Sequence, residues 1–109
     1  MDTTRLPDLV DALINDARTA HSGRAARTLH GSSARHLRQT VIALTDGTSL
    51  SEHDSPPEAT LQVLRGHVTI TAGSDTWEGV AGDLVTIPDA RHGLTALSDS
   101  AVLLTVLAH

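Results

Sequence analysis

Two histidines, His53 and His92, lie in stretches of the sequence that share the same punctuation by glycine and proline. Gly47 opens the first stretch, and a pair of prolines at 56–57 follows its histidine. Gly82 opens the second stretch, which passes through a short apolar segment and a proline before its histidine. These residue types are typical of short β-strands joined by turns. Two imidazoles on neighbouring strands could bind a metal ion or form hydrogen bonds to a small ligand.

The spacing of these residues resembles the two sequence motifs of the cupin family. The first motif has a glycine, five residues, a His-x-His pair, a glutamate and a second glycine. The second motif has a glycine, five residues, a proline and a histidine shortly after it. The matching positions in this chain are Gly47, His53, Gly66, Gly82, Pro88 and His92. The resemblance covers about residues 36–108, and it implies an antiparallel double-stranded β-helix.

The resemblance also shows where the metal ligands of the family would fall. The four positions hold His53, Ser55, Ala59 and His92. Protein sites for transition metals normally have three or four strong ligands, whereas serine is a weak ligand and alanine is none. We therefore predict a degenerate motif with two candidate metal ligands, His53 and His92. Glu58 could reach the site only if the preceding turn shifts the register by one, because successive strand residues face opposite sides.

Short strands with regular turns dominate the sequence after residue 35. The pattern predicts strands at about 36–45, 49–53, 59–65, 67–72, 75–79, 83–87, 92–97 and 101–108. Many short strands with almost no helix between them favour an antiparallel sandwich or barrel. We therefore predict an all-β jelly-roll or cupin barrel at residues 36–109, preceded at residues 1–35 by an N-terminal helix and a connecting segment.

The helix is predicted at residues 6–21, where apolar residues recur at spacings of three and four. Such a stripe must be buried, either across an open end of its own barrel or against a second subunit. The segment that follows carries Arg24, Arg27 and Arg35, with one short strand around 26–30. Its arginines could form a local anion site, although a solvated surface is the interpretation that we favour.

Alternation along the strands predicts which side chains line the barrel. If His53 faces inward, so do Ser55, Ala59, Leu61 and Val63. Residues 37–44 carry apolar side chains on both faces, which predicts a sheet buried on both sides. A homodimer whose sheets pack together would explain that pattern, and cupins commonly dimerise in this way.

Composition limits the function classes. The 109 residues are 39% apolar and 19% charged, as in an ordinary single globular domain. A net charge of −5 argues against nucleic acids and anionic membranes as partners. The absence of cysteine is typical of a cytoplasmic protein. Trp77 is the only aromatic residue, and we predict that it packs on the barrel wall.

Two functions remain open from the sequence. In the first, which we favour, the barrel is a small-molecule-binding or regulatory module whose metal site is lost or weak. In the second, it is a metal-dependent oxygenase or isomerase that uses a divalent Zn, Fe, Mn, Ni or Cu ion and an additional ligand from elsewhere. No catalytic residue is assigned. The candidates for the additional ligand are Glu58, Gln39, Gln62, His30 and His36.

Overall fold

The structure is a computed structural model that describes residues 1–53 and 58–107, apart from the side chains of Glu52 and His53. The helix α1 spans Leu6–Thr19. The strands are β1 (Arg24–His30), β2 (Leu37–Leu44), β3 (Ser49–His53), β4 (Glu58–Arg65), β5 (His67–Ala72), β6 (Asp75–Val80), β7 (Leu84–Thr86), β8 (His92–Ala96) and β9 (Ser100–Leu107). The predicted helix and the strands after residue 35 are confirmed to within two residues.

The strands form two antiparallel sheets. The larger sheet has the order β1-β2-β9-β4-β7, and the smaller has the order β3-β8-β5-β6. Neighbours in both sheets are mostly distant in sequence, so the chain passes back and forth between the sheets as a jelly roll requires. The predicted fold class, an antiparallel β-barrel with one N-terminal helix, is confirmed for the described part of the chain. Its helix is too short and too polar to cross a bilayer.

An apolar cluster fills the space between the two sheets. The cluster follows from strand alternation, because buried residues recur at every second position in β4 (59, 61, 63), β5 (68, 70) and β8 (92, 94, 96). We call it the interior cluster. Its members are Leu44, Ala59, Leu61, Val63, Val68, Ile70, Ile87, Leu94, Ala96 and Val102. Trp77 is half-buried and packs against this cluster, in agreement with its predicted role on the barrel wall.

The helix packs on the outer face of the larger sheet. Its buried stripe contacts Val41 and Ala43 of β2 and Ala101 of β9. Neither predicted location is correct, because α1 lies across no open end of the barrel and buries its stripe within its own chain. The helix also explains why β2 is apolar on both faces, since Leu44 faces the interior cluster and Val41 faces α1. A homodimer is not needed to account for that pattern and stays a prediction.

The connecting segment contributes more structure than the sequence indicates. Strand β1 runs the length of residues 24–30 and pairs antiparallel with β2. The register shifts between Thr28 and His30, where a bulge interrupts the ladder. Strand β1 belongs to the larger sheet, although the sequence analysis placed it in the N-terminal segment, residues 1–35. Whether residues 1–35 and 36–109 fold as separate units stays a prediction.

A buried hydroxyl joins two turns at one end of the barrel, which we call the bonded end. Ser100 is fully buried, and its Oγ accepts a hydrogen bond from the backbone N–H of His67 at 3.0 Å. The same Oγ lies 2.8 Å from the carbonyl oxygen of Ser98. Gly66 passes so close that a Cβ there would lie 2.2 Å from this Oγ, and its φ of +88° also favours glycine.

A carboxylate at the same end joins a third turn and the helix. Asp99 accepts hydrogen bonds from the backbone N–H of Asp46 at 2.9 Å and from Nε of Arg18 at 2.8 Å. These two donors, the backbone N–H first, hold the pKa of Asp99 below its ordinary value of 3.8. A second ion pair, between Asp11 of α1 and Arg65 of β4, also ties the helix to the sheet.

Candidate functional site

The two histidines predicted as a pair lie on adjacent strands at the opposite end of the barrel, which we call the histidine end. The register of β3 and β8 places the backbone of His53 directly opposite that of His92. The register shifts between Leu50 and His53, so a bulge separates this pair from the regular ladder. A site shared by the two histidines stays a prediction.

His92 faces the interior of the barrel. It alternates along β8 with Leu94 and Ala96, which belong to the interior cluster, and its side chain is only 7% exposed. Its Nδ1 lies 3.0 Å from the carbonyl oxygen of Ala90. Because a carbonyl oxygen can only accept, the Nδ1–H of His92 donates this hydrogen bond. Histidines that bind metals or accept hydrogen bonds from ligands are oriented in this way.

Ala59 lies in the interior cluster at the histidine end, and it is 7% exposed. It occupies the position at which the resemblance implies a glutamate. The register between β4 and β9 runs evenly from Glu58 to Val63. Glu58 is exposed and Ala59 is buried, as alternation requires. No shift therefore brings the Glu58 carboxylate into the place of the missing ligand.

The other predicted pocket residues occupy different positions. Leu61 and Val63 are packed in the interior cluster against side chains of the smaller sheet. Ser55 falls outside the described residues. A cavity of about 420 Å³ reaches Ala59 and Ile87 at the histidine end, but it opens toward the outer face of the larger sheet, where Leu37 and Thr105 line it, and His92 does not line it. This volume is within the range of pockets that bind small molecules.

The remaining candidate ligands do not face the interior. Gln39 donates from Nε2 to Oγ1 of Thr105 at 3.2 Å, on the outer face of the larger sheet that also carries Val41. Gln62 alternates with two residues of the interior cluster, so it also faces outward. His30 is opposite Gln39 in the register, and His36 is exposed in the connection between β1 and β2.

The sequence analysis did not include Arg38 in the site, although this exposed residue lies on the face of β2 that is directed toward the barrel interior. Arg38 alternates with Thr40 and Ile42, and Ile42 packs against the interior cluster. Its register partner is Val106, which is also the partner of Ala59. Arg38 therefore shares a row of the larger sheet with Ala59 at the histidine end. The alternation in β2 was the signal that could have identified it.

The described donors do not fit the metal site that the fold family implies. Across residues 1–53 and 58–107, no three His, Cys, Asp or Glu side chains lie together in a way that could hold a metal ion. His92 is the donor that the described interior supplies, and Ala59 supplies none.

No protein-family model and no curated protein matches the chain. Solved structures do match it. A conserved protein of unknown function from Streptococcus pyogenes has 27% identity and a TM-score of 0.73, over 83% of this chain and 78% of that one. A cupin superfamily protein from Desulfitobacterium hafniense has 20% identity and a TM-score of 0.72, over 79% of this chain and 78% of that one.

A larger enzyme contains the same fold. Salicylate 1,2-dioxygenase from Pseudoaminobacter salicylatoxidans matches with 17% identity and a TM-score of 0.77. The match covers 93% of this chain but only 32% of the dioxygenase. The strand topology and these likenesses show that the chain is a small cupin-fold domain. The cupin fold that the glycine, proline and histidine spacing predicted is thereby confirmed.

Proposed function

We propose that this chain binds a small organic molecule at the histidine end of its barrel and that a stably bound metal is not part of its function. His92 supplies a buried imidazole whose Nδ1 lies against a backbone carbonyl, and a separate cavity that reaches Ala59 supplies space at the same end of the barrel. We further propose that binding serves a regulatory role, in a cytoplasmic homodimer.

The observation that carries this proposal is the burial of Ala59 in an unshifted register. A methyl group replaces the carboxylate that would neutralise and anchor a divalent cation. The two histidines alone would give weak affinity, since stable transition-metal sites need at least one further strong ligand. An interior lined mainly by apolar side chains, with a few polar groups, is typical of a small-molecule site.

A metal-dependent oxygenase or isomerase is the second candidate, and one observation favours it. The Nδ1–H of His92 is directed at a backbone carbonyl, which is the arrangement that orients histidine ligands in metal sites. The likeness to a protein named as a dioxygenase agrees with this candidate. It requires a third ligand that is absent from the described interior.

Elemental analysis separates the two candidates. The protein should be purified without chelators or a nickel column and compared with a His53→Ala/His92→Ala double variant. The matched control is His21→Ala, because His21 is exposed just beyond α1 and away from the barrel interior. We expect far less than one metal ion per chain in all three proteins, and no loading by added zinc, iron, manganese, nickel or copper.

The elemental analysis could also contradict the proposal. Near-stoichiometric metal in the parent and in His21→Ala, with none in the double variant, would overturn the proposal. It would favour the second candidate, which assays for oxygen-dependent or isomerase activity would then test.

A further inference from the structure

The charges of this acidic chain are strongly segregated. Residues 17–45 contain no Asp and no Glu, although the whole chain has a net charge of −5. The same segment holds most of the cationic side chains of the protein. They are Arg18, Arg24, Arg27, Arg35 and Arg38. Since this segment forms β1, β2 and their connection, one edge of the barrel is cationic.

The inner face of this edge is open to solvent. Ala26 and Thr28 are opposite Ile42 and Thr40 in the register, so they share the side of the sheet that faces the barrel interior. Both are nevertheless exposed. The larger sheet has five strands and the smaller has four, so β1 extends beyond the cover of β3. The uncovered strip forms a groove along one side of the barrel.

A cavity of about 370 Å³ occupies this groove. Its floor is apolar and is formed by Ala26, Ile42 and Leu50, with the hydroxyl-bearing Thr40 beside them. Arg24 lines one end of the cavity and is exposed. In the described part of the chain, the guanidinium of Arg24 has no ion-pair partner.

A second guanidinium lies further along the same face. Arg38 is two residues beyond Thr40 on β2, so it faces the same side, roughly 7 Å away along the strand. Its aliphatic stem packs against Gly31, where a Cβ would lie 3.1 Å from Cγ of Arg38. No carboxylate among the described residues is paired with it. The groove therefore runs between two cations that have no ion-pair partner among the described side chains, from Arg24 toward the histidine end.

We propose that this groove binds an apolar organic acid, with its carboxylate on Arg24 and its apolar body on Ala26, Ile42 and Leu50. This inference goes beyond the proposed function, because the groove is a second site, separate from the histidine end, with a ligand of a stated chemical class. A guanidinium matches the geometry of a carboxylate and pairs with it through two hydrogen bonds. The absence of acidic residues in the segment concentrates a positive potential at the groove, which attracts anions and repels cations.

The test compares benzoate with benzamide, which have the same size and apolar body and differ in charge. Amide shifts in NMR spectra of the labelled protein should locate the binding site. We expect benzoate to shift the amides of residues 24–28, 40–42 and 50, and to bind about tenfold more tightly than benzamide. Arg24→Gln should remove most of that preference, and Arg38→Gln should remove a smaller part of it.

Arg27→Gln is the matched control. Arg27 lies on the same strand and is equally exposed, but its register partner is Val41, on the face that packs against α1. The control removes the same charge from the other side of the sheet. It should bind benzoate as the parent does.

The outcomes separate this inference from the proposed function. Equal binding of benzoate and benzamide, or an equal loss in Arg24→Gln and Arg27→Gln, would overturn the inference. Benzoate shifts confined to residues around His92 would also overturn it, while supporting the proposed function. Groove shifts that persist in a His53→Ala/His92→Ala variant would support the inference even if metal analysis overturned the proposed function.

Discussion

At the bonded end of the barrel, Ser100 and Asp99 join neighbouring turns and the helix through hydrogen bonds. At the histidine end, His92 and Ala59 lie in an apolar interior beside a cavity. At the bonded end, polar groups have specific partners, whereas the described interior at the histidine end is mainly apolar. A substitution therefore disturbs a specific hydrogen bond at the first end and apolar packing at the second.

Gly66→Ala should have the largest effect and would test the bonded end directly. Its Cβ would lie 2.2 Å from Oγ of Ser100 and 2.5 Å from the carbonyl oxygen of Asp99. Backbone strain and overpacking together should cost about 4 kcal/mol of unfolding free energy. Denaturant unfolding measures this value.

Gly73→Ala is the control for that substitution. Gly73 also has a positive φ, of +62°, but nothing lies within 4 Å of its would-be Cβ. The expected loss of unfolding free energy is about 1 kcal/mol, because only the strain of a positive φ in alanine contributes. Equal losses in the two variants would show that the close approach to Ser100 does not matter.

Ala59→Glu should be nearly as costly and would sharpen the contrast from the histidine end. The variant should lose about 3 kcal/mol of unfolding free energy, because burial among apolar side chains disfavours the charged form of the new carboxylate. If the histidines are near enough to share a metal, added zinc should restore much of the loss. Thermal unfolding with and without zinc provides the measurement.

Leu61→Glu is the matched control for the restored carboxylate. Leu61 faces the same interior, one layer further from the histidine end. The Leu61→Glu variant should be destabilised at least as much as Ala59→Glu, and added zinc should not raise its melting temperature. A response of the same size in both variants would exclude a specific site at residue 59.

Ser100→Ala should have an intermediate effect. It would leave the half-buried N–H of His67 without its acceptor and lower the free energy of unfolding by about 2 kcal/mol. Ser49→Ala removes an exposed hydroxyl that is bonded to Thr95, and it should lower the free energy of unfolding by only about 0.5 kcal/mol. Similar losses from the two substitutions in chemical denaturation would contradict the special role of the bonded end.

Asp99→Ala should have the smallest effect, and its effect should depend on pH. The native pKa of Asp99 lies below its ordinary value of 3.8, so the folded state binds fewer protons than the unfolded state. Its contribution is complete above that value and is lost as the pH falls through the lower native pKa. The difference in melting temperature between parent and variant should therefore be largest near about pH 7 and vanish in strong acid. A constant difference would show that the carboxylate charge is not responsible.

Much of the fold could be predicted from local signals. The alternation in β4 identified buried residues such as Leu61 and Val63 because the pleat has a period of two. Gly66 and Gly82 marked turns because their positive φ values favour glycine. The spacing of these residues also sufficed for the cupin resemblance. These features depend only on neighbours along the chain.

The location of the helix and the composition of the site depended on contacts between distant segments. The stripe of α1 required burial, but only the apolar outer face of β2 and β9 decided where. The alternation of Arg38 was visible in the sequence, yet the uneven strand numbers of the two sheets decided that the face beside it stays open. The sequence by itself determined which residues alternate and where the chain turns. Tertiary structure alone decided which faces are covered, because burial depends on whichever element packs opposite.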